Sequence, residues 1–123
     1  MKKVVKFGGS SLASASQFEK VGAIIRGDES RRYVVPSAPG KRFSGDTKVT
    51  DLLYACYRSV GDEEKFQKIL NEIKERYQEI IDGLHLSLSL EEDFSLVEEN
   101  FKKQIGEEYA ASRGEYLNGK IMA

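Results

Sequence analysis

Residues 2–12 read KKVVKFGGSSL, and the fold turns on how they are read. Val4 and Val5 are β-branched and the Gly8-Gly9 pair ends the run, which predicts a short strand from Lys2 to Phe7. A helical pattern begins soon after. Ser16-Gln17-Phe18-Glu19 has capping-box spacing, and Phe18, Val21 and Ile25 share one face of a helix running to about Arg26, where Gly27-Asp28 stops it. RRYVVP then gives a second strand, Arg32 to Val35, closed by Pro36, which has no amide hydrogen for a ladder bond. Strand, helix, strand in that order implies a right-handed parallel βαβ unit.

Outward from this unit the chain changes character. SAPGKRFSGDTK, residues 37–48, reads as an exposed loop of the kind that carries function. From Thr47 on, the pattern is helical. Val49, Leu52, Leu53, Cys56 and Val60 form one apolar face that ends at Gly61, and Phe66, Ile69, Leu70, Ile73, Tyr77, Ile80 and Ile81 form a longer one that ends at Gly83. Ser89 and Glu92 have capping-box spacing, and Leu90, Phe94, Val97, Phe101, Ile105 and Tyr109 predict a third face on one long helix. The two long helices are expected to pack as an antiparallel hairpin joined by GLHLSLS, which leaves His85, the single histidine, in a solvent-facing loop. The Tyr and Phe residues at helical spacing read as core. Two strands are few for a parallel sheet, and GEYLNGKIMA ends inside an apolar pattern (Leu117, Ile121, Met122), so residues 1–123 are expected to be a truncated part of one domain.

Composition narrows the chemistry. With 19 basic and 20 acidic residues the net charge is −1, so no long-range field favours nucleic acid or an anionic membrane. Cys56 is the single cysteine, which excludes an internal disulfide framework and a cysteine-rich metal site. The apolar run after Met1 is too short for a signal peptide, and no stretch approaches the roughly 20 apolar residues of a membrane span. A cytoplasmic protein without metal ligands of its own is the expectation.

The junction at Phe7 suits an anion. A glycine turn lets backbone amides approach a ligand, and the start of a following helix adds positive potential. Lys6 would sit at the carboxyl end of the first strand, where ligands of open α/β sheets bind, with the Ser10 and Ser11 hydroxyls nearby. No Gly-Lys-Ser/Thr triplet and no GxGxxG pattern is present, and an ordinary strand-to-helix link uses the same residue types.

VVKFGGSSLA closely resembles the opening of aspartokinases, members of the amino acid kinase family. VVPSAPGKR resembles the family's second strand and Ser-Ala loop, VTDLLY the start of its next helix, and SRGEYLNGKIMA its Ser-x-Gly-Glu segment. The resemblance implies a helix-rich α/β fold, the N-terminal portion of a three-layer αβα sandwich with a small parallel sheet and a helical hairpin. It implies that ATP, brought with Mg2+, meets L-aspartate in the complete enzyme, whose second half and regulatory domains are not in these residues. By the resemblance Lys6 would contact the terminal phosphates and stabilise the transition state, while Gly8, Gly9 and Ser10 would line the phosphate turn. Ser37, Thr50, Arg113 and Glu115 would contact the substrate amino acid.

Plainer readings stand beside these. Ser37 suits a turn, Thr50 a helix cap, and Ser112-Arg113-Gly114-Glu115 a capping box at a helix start. Lys41, Arg42 and Lys48 suit a solvated loop. Alternatives for the whole are a non-catalytic α/β interaction module and another kinase of the same family. Association into a homo-oligomer through exposed sheet edges is expected of the fragment.

Overall fold

The structure is a computed structural model and describes residues 2–123. Among the described residues two strands and five helices follow the order β1 (Lys3–Phe7), α1 (Ala15–Arg26), β2 (Arg31–Pro36), α2 (Val49–Arg58), α3 (Glu63–Gly83), α4 (Glu91–Lys102) and α5 (Glu107–Met122). β1 and β2 pair in parallel, with Val5 opposite Val34, Lys6 opposite Val35 and Phe7 opposite Pro36. The expected βαβ order is there. Pro36 is the last residue of its strand, where a missing donor costs least.

The entry into α1 differs from the expectation. A short 3₁₀ turn, Gly9–Leu12, follows β1, and the cap is Ser14, whose hydroxyl accepts from the Gln17 amide at 3.5 Å. Ser16 instead meets the Ser14 hydroxyl at 3.2 Å. The positive end of α1 therefore does not sit on the glycine pair. Leu12 and Ala13 are buried at this bend, so apolar anchoring sets where the helix can begin.

The core lies under α3. Its stripe of Phe66, Leu70, Ile73, Tyr77 and Ile80 is buried and packs with Val49, Leu53 and Cys56 of α2, Leu117 of α5 and Phe101 of α4. Each such large apolar side chain stabilises the fold by about 1.5–3 kcal/mol through burial. α3 and α4 form the expected antiparallel hairpin: the Lys102 ammonium meets Glu63 at 3.2 Å at one end, and the Tyr77 and Phe94 rings lie 5.9 Å apart further along.

The third apolar face, however, is not one helix. α4 stops at Lys102, Gln104 adopts φ 54° and Gly106 φ 129°, and α5 starts at Glu107. The spacing of Phe101, Ile105 and Tyr109 continues across the break, but Ile105 is 52% exposed. Glycine is the residue type that accepts the backbone angle at 106, and the turn there redirects the chain to cover β2.

The sheet is covered on one side. Phe7 packs toward the core, while Val4 and Lys6, which alternate with it, emerge on the opposite face beside Tyr33 and Val35. Val4 is 69% exposed and Tyr33 52%. Among the described residues no helix is long and apolar enough to cross a membrane.

Candidate functional site

Two loops leave the carboxyl ends of β1 and β2 side by side and touch through backbone. The Gly40 amide donates to the Gly9 carbonyl at 2.8 Å. A Cβ on Gly40 would lie 2.6 Å from the Gly9 carbonyl carbon and 2.8 Å from the Ser10 nitrogen, both backbone atoms that cannot swing aside. Gly40 is thus required for the two turns to meet, while on the other side a Cβ added at Gly9 would be a tight 3.1 Å from the Ala38 carbonyl oxygen.

α5 closes the third side. Gly114 lets it press on Ala38, whose Cβ would be 2.5 Å from a Cβ at 114. The buried Tyr77 hydroxyl donates to the Gly114 carbonyl at 2.8 Å, and the fully buried Asn118 amide nitrogen donates to the Ser37 carbonyl at 2.9 Å. α2 enters from the fourth side, its first amide, Val49, donating to the Pro39 carbonyl at 3.0 Å.

The result is a cleft of about 510 Å³ walled by Gly9, Ser10, Ser37, Thr50 and Glu115, together with Lys41 and Lys48. These residues come from four separate stretches of the chain. Neither Lys41, Lys48 nor Glu115 forms an ion pair with another described residue, so two ammonium groups and one carboxylate face the opening uncommitted. Such a wall suits a ligand carrying both signs of charge beside an anion.

Other named residues stand elsewhere. Lys6 is exposed at the end of β1 on the uncovered face of the sheet, and Gly8 is exposed at the start of the turn; neither lines the cleft. Arg113 is also off it: its guanidinium lies 4.6 Å from the Tyr109 ring centre and 4.7 Å from that of Tyr116, stacked along the outside of α5. His85 is exposed in the loop after α3.

Two of the plainer readings fall. Thr50 is the second residue of α2, whose cap position is Lys48, so it is not the helix cap. Ser112 to Glu115 lie in the middle of α5, where Ser112 donates back to the Tyr109 carbonyl at 2.8 Å, so no capping box forms. The S-x-x-E spacing marks a helix start only where the chain arrives from an extended stretch, and here it has already been helical since Glu107.

The framework contains residues that sequence reasoning passed over. Arg76 is 5% exposed and donates from Nη1 to the Thr47 carbonyl at 2.7 Å and from Nη2 to the Gly40 carbonyl at 2.6 Å. Burial pulls its guanidinium pKa down from the ordinary value. Asp46 stands 3.6 Å away and is bonded at 2.7 Å by Arg42, whose guanidinium holds the Asp46 carboxyl well below the usual range. A signal for Arg76 existed: it lies three residues after Ile73 and four before Ile80, inside the apolar stripe of α3. Asn118 and Gly40 gave no comparable signal, since both are common in loops and caps.

No protein-family profile matches the chain. It is 42% identical over a 129-residue alignment to Aspartokinase 3 of Bacillus subtilis (strain 168), a match covering 98% of this chain and 28% of that protein. Among solved structures it superposes on Clostridium acetobutylicum aspartate kinase with a TM-score of 0.91 at 47% identity, covering 98% of this chain and 28% of that one. E. coli aspartokinase III in complex with aspartate and ADP matches at a TM-score of 0.75 and 24% identity, over 99% of this chain and 28% of that one, a likeness of fold. The chain therefore spans little more than a quarter of the length of the relatives it matches.

Proposed function

We infer, from a chain that is homologous to aspartokinases over nearly its whole length and spans about 28% of theirs, that it supplies one wall of an aspartate kinase site. The complete enzyme would transfer the γ-phosphoryl of ATP to the side-chain carboxylate of L-aspartate. A carboxylate oxygen attacks the γ-phosphorus, the bond to the ADP oxygen breaks, and 4-phospho-L-aspartate and ADP leave without a net proton transfer. The protein's part in such a reaction is positioning and charge stabilisation.

The observation that carries this reading is the convergence of Gly9, Ser10, Ser37, Thr50 and Glu115 on one cleft. Glu115 would hold the substrate's α-ammonium, and Ser37 and Thr50 its carboxylates. Gly9 and Ser10 would face the phosphates. Lys6 would neutralise phosphoryl charge from the uncovered side of the sheet, with Gly8 beside it, and Arg113 would serve a substrate carboxylate only after leaving its two tyrosines. Mg2+ would be held by phosphate oxygens and water, since the cleft offers hydroxyls, ammonium groups and a single carboxylate. A cytoplasmic location and a homo-oligomer are part of the same reading.

In the complete enzyme that carries this segment, acyl phosphate formation is expected with aspartate and not with glutamate. Lys6→Ala should abolish turnover with the thermal midpoint unchanged, and Glu115→Gln should raise the KM for aspartate about tenfold, the loss of one charge-assisted hydrogen bond. Equal turnover of both amino acids would replace aspartate as the substrate. Unchanged kinetics in Lys6→Ala would remove that residue from the mechanism.

A further inference from the structure

The loop from Ser37 to Lys48 carries most of one wall of the cleft, yet it contains no helix or strand. Its shape is imposed from outside. Gly40 and Thr47, near its two ends, both offer carbonyls to the single guanidinium of Arg76, from the middle of α3. A flat fork of fixed geometry that bonds two carbonyls sets the distance between them as well as their orientation. Between those points Asp46 takes Arg42 at 2.7 Å and faces Arg76 at 3.6 Å, and Arg42 reaches on to Glu79 of α3 at 2.9 Å.

Stability alone does not explain such an arrangement. Burying a guanidinium removes it from water, and an apolar side chain of similar length on the stripe of α3 would pack without that loss. Arg76 keeps one nitrogen, Nε, buried without a partner. What a guanidinium does at this position and an apolar side chain cannot is define a loop conformation. The same loop meets the turn after β1 through the Gly40 amide and the Gly9 carbonyl, so the shape set at Arg76 extends to both halves of the cleft.

We propose that Arg76, which stands outside the lining of the cleft, is its positioning residue, holding the Ser37–Lys48 loop in its binding shape by bridging the Gly40 and Thr47 carbonyls. As far as it concerns catalysis this rests on the aspartate kinase reading. The clamp itself does not.

Arg76→Lys in the complete enzyme is the test, because an ammonium keeps the charge but cannot span two carbonyls in a fixed plane. Hydrogen exchange of the Gly40 and Val49 amides should speed up at least about tenfold while amides in the middle of α2 and α3 keep their protection, a local opening and not global unfolding. The KM for aspartate should rise about tenfold with kcat within about threefold of the parent, as misplacement of binding groups requires. If Arg76→Lys does not fold, Asp46→Asn removes the facing charge without touching α3 and should loosen the same two amides. Unchanged exchange at Gly40 and Val49 in the folded variant overturns the clamp, and faster exchange with unaltered KM overturns its part in binding. A parent enzyme that leaves aspartate untouched overturns the kinase reading alone, since the exchange comparison still decides the clamp.

Discussion

At Gly40 the backbones of two turns come closer than any side chain allows. Gly40→Ala must push the Ser37–Lys48 loop away from Gly9 and Ser10, since the obstructing atoms are backbone. Overpacking of this kind costs about 1–3 kcal/mol, and here the movement opens the cleft. The expected outcome is a lower urea midpoint together with weaker nucleotide binding by calorimetry. Loss of stability with binding intact would show that the contact is only structural.

Cys56 ties the stability of the core to pH. Burial pushes its thiol up to about 12, and its Sγ–H faces the Phe66 carbonyl oxygen at 3.8 Å. The unfolded chain releases that proton near pH 8.5, so the unfolded state binds fewer protons than the folded one above that pH. The contribution of Cys56 to stability is therefore whole below about pH 8.5 and falls as pH rises toward about 12. Urea midpoints of the parent should drop more between pH 8 and pH 10 than those of Cys56→Ala, and a thiol reagent at about pH 8 should label the native chain only as fast as it unfolds. Lys6 and Arg113 teach the converse lesson: the sequence names them through motif position, but which face a side chain takes depends on strand alternation and on neighbouring rings.

Among the elements, α1, α2 and α3 were legible because their apolar residues recur at helical spacing and a single glycine, Gly27, Gly61 or Gly83, ends each pattern. The division of the last apolar face into α4 and α5 was not. Phe101, Ile105 and Tyr109 keep the spacing through the break, and only Gly106 hinted at it. That glycine has φ 129°, a conformation that side-chain-bearing residues rarely adopt. Gly106→Ala should lower stability by about 1–2 kcal/mol in chemical denaturation. The turn after α3 runs the other way, because His85 occupies the left-handed position of a Schellman-type end, with the Leu86 amide on the Ile81 carbonyl at 3.1 Å and the His85 amide on Asp82 at 3.1 Å. His85→Gly should raise stability by about 0.5–1 kcal/mol; a decrease would place a favourable contact on the imidazole. Arg76 showed as a charge inside the apolar stripe of α3, but what it holds was hidden for a related reason. Its partners lie 29 and 36 residues away, and no local pattern marks a side chain whose purpose is to hold a distant loop.

For the whole molecule, the four stretches that carry the family resemblance are held together by α3, a helix that carries almost none of it. α3 packs on α2, and through Tyr77 and Arg76 it pins both α5 and the loop after β2. The core explains the fold and the pins explain the cleft. The sheet, by contrast, leaves Val4, Tyr33 and Val35 open to solvent on the face from which Lys6 projects.

The single bond from the Gly40 amide to the Gly9 carbonyl also has a thermodynamic side. A ligand that quiets the turn after β1 removes motion from the loop after β2 as well, so the second ligand has less disorder left to suppress. Binding of nucleotide and of amino acid should then be mutually reinforcing, each raising the other's affinity by the same factor. Calorimetric titration of aspartate into the complete enzyme, with and without a non-hydrolysable ATP analogue, should show that synergy in the parent and a smaller one in Gly40→Ala. The small hydrogen that stands in place of a side chain at position 40 would then be what lets two binding events keep step.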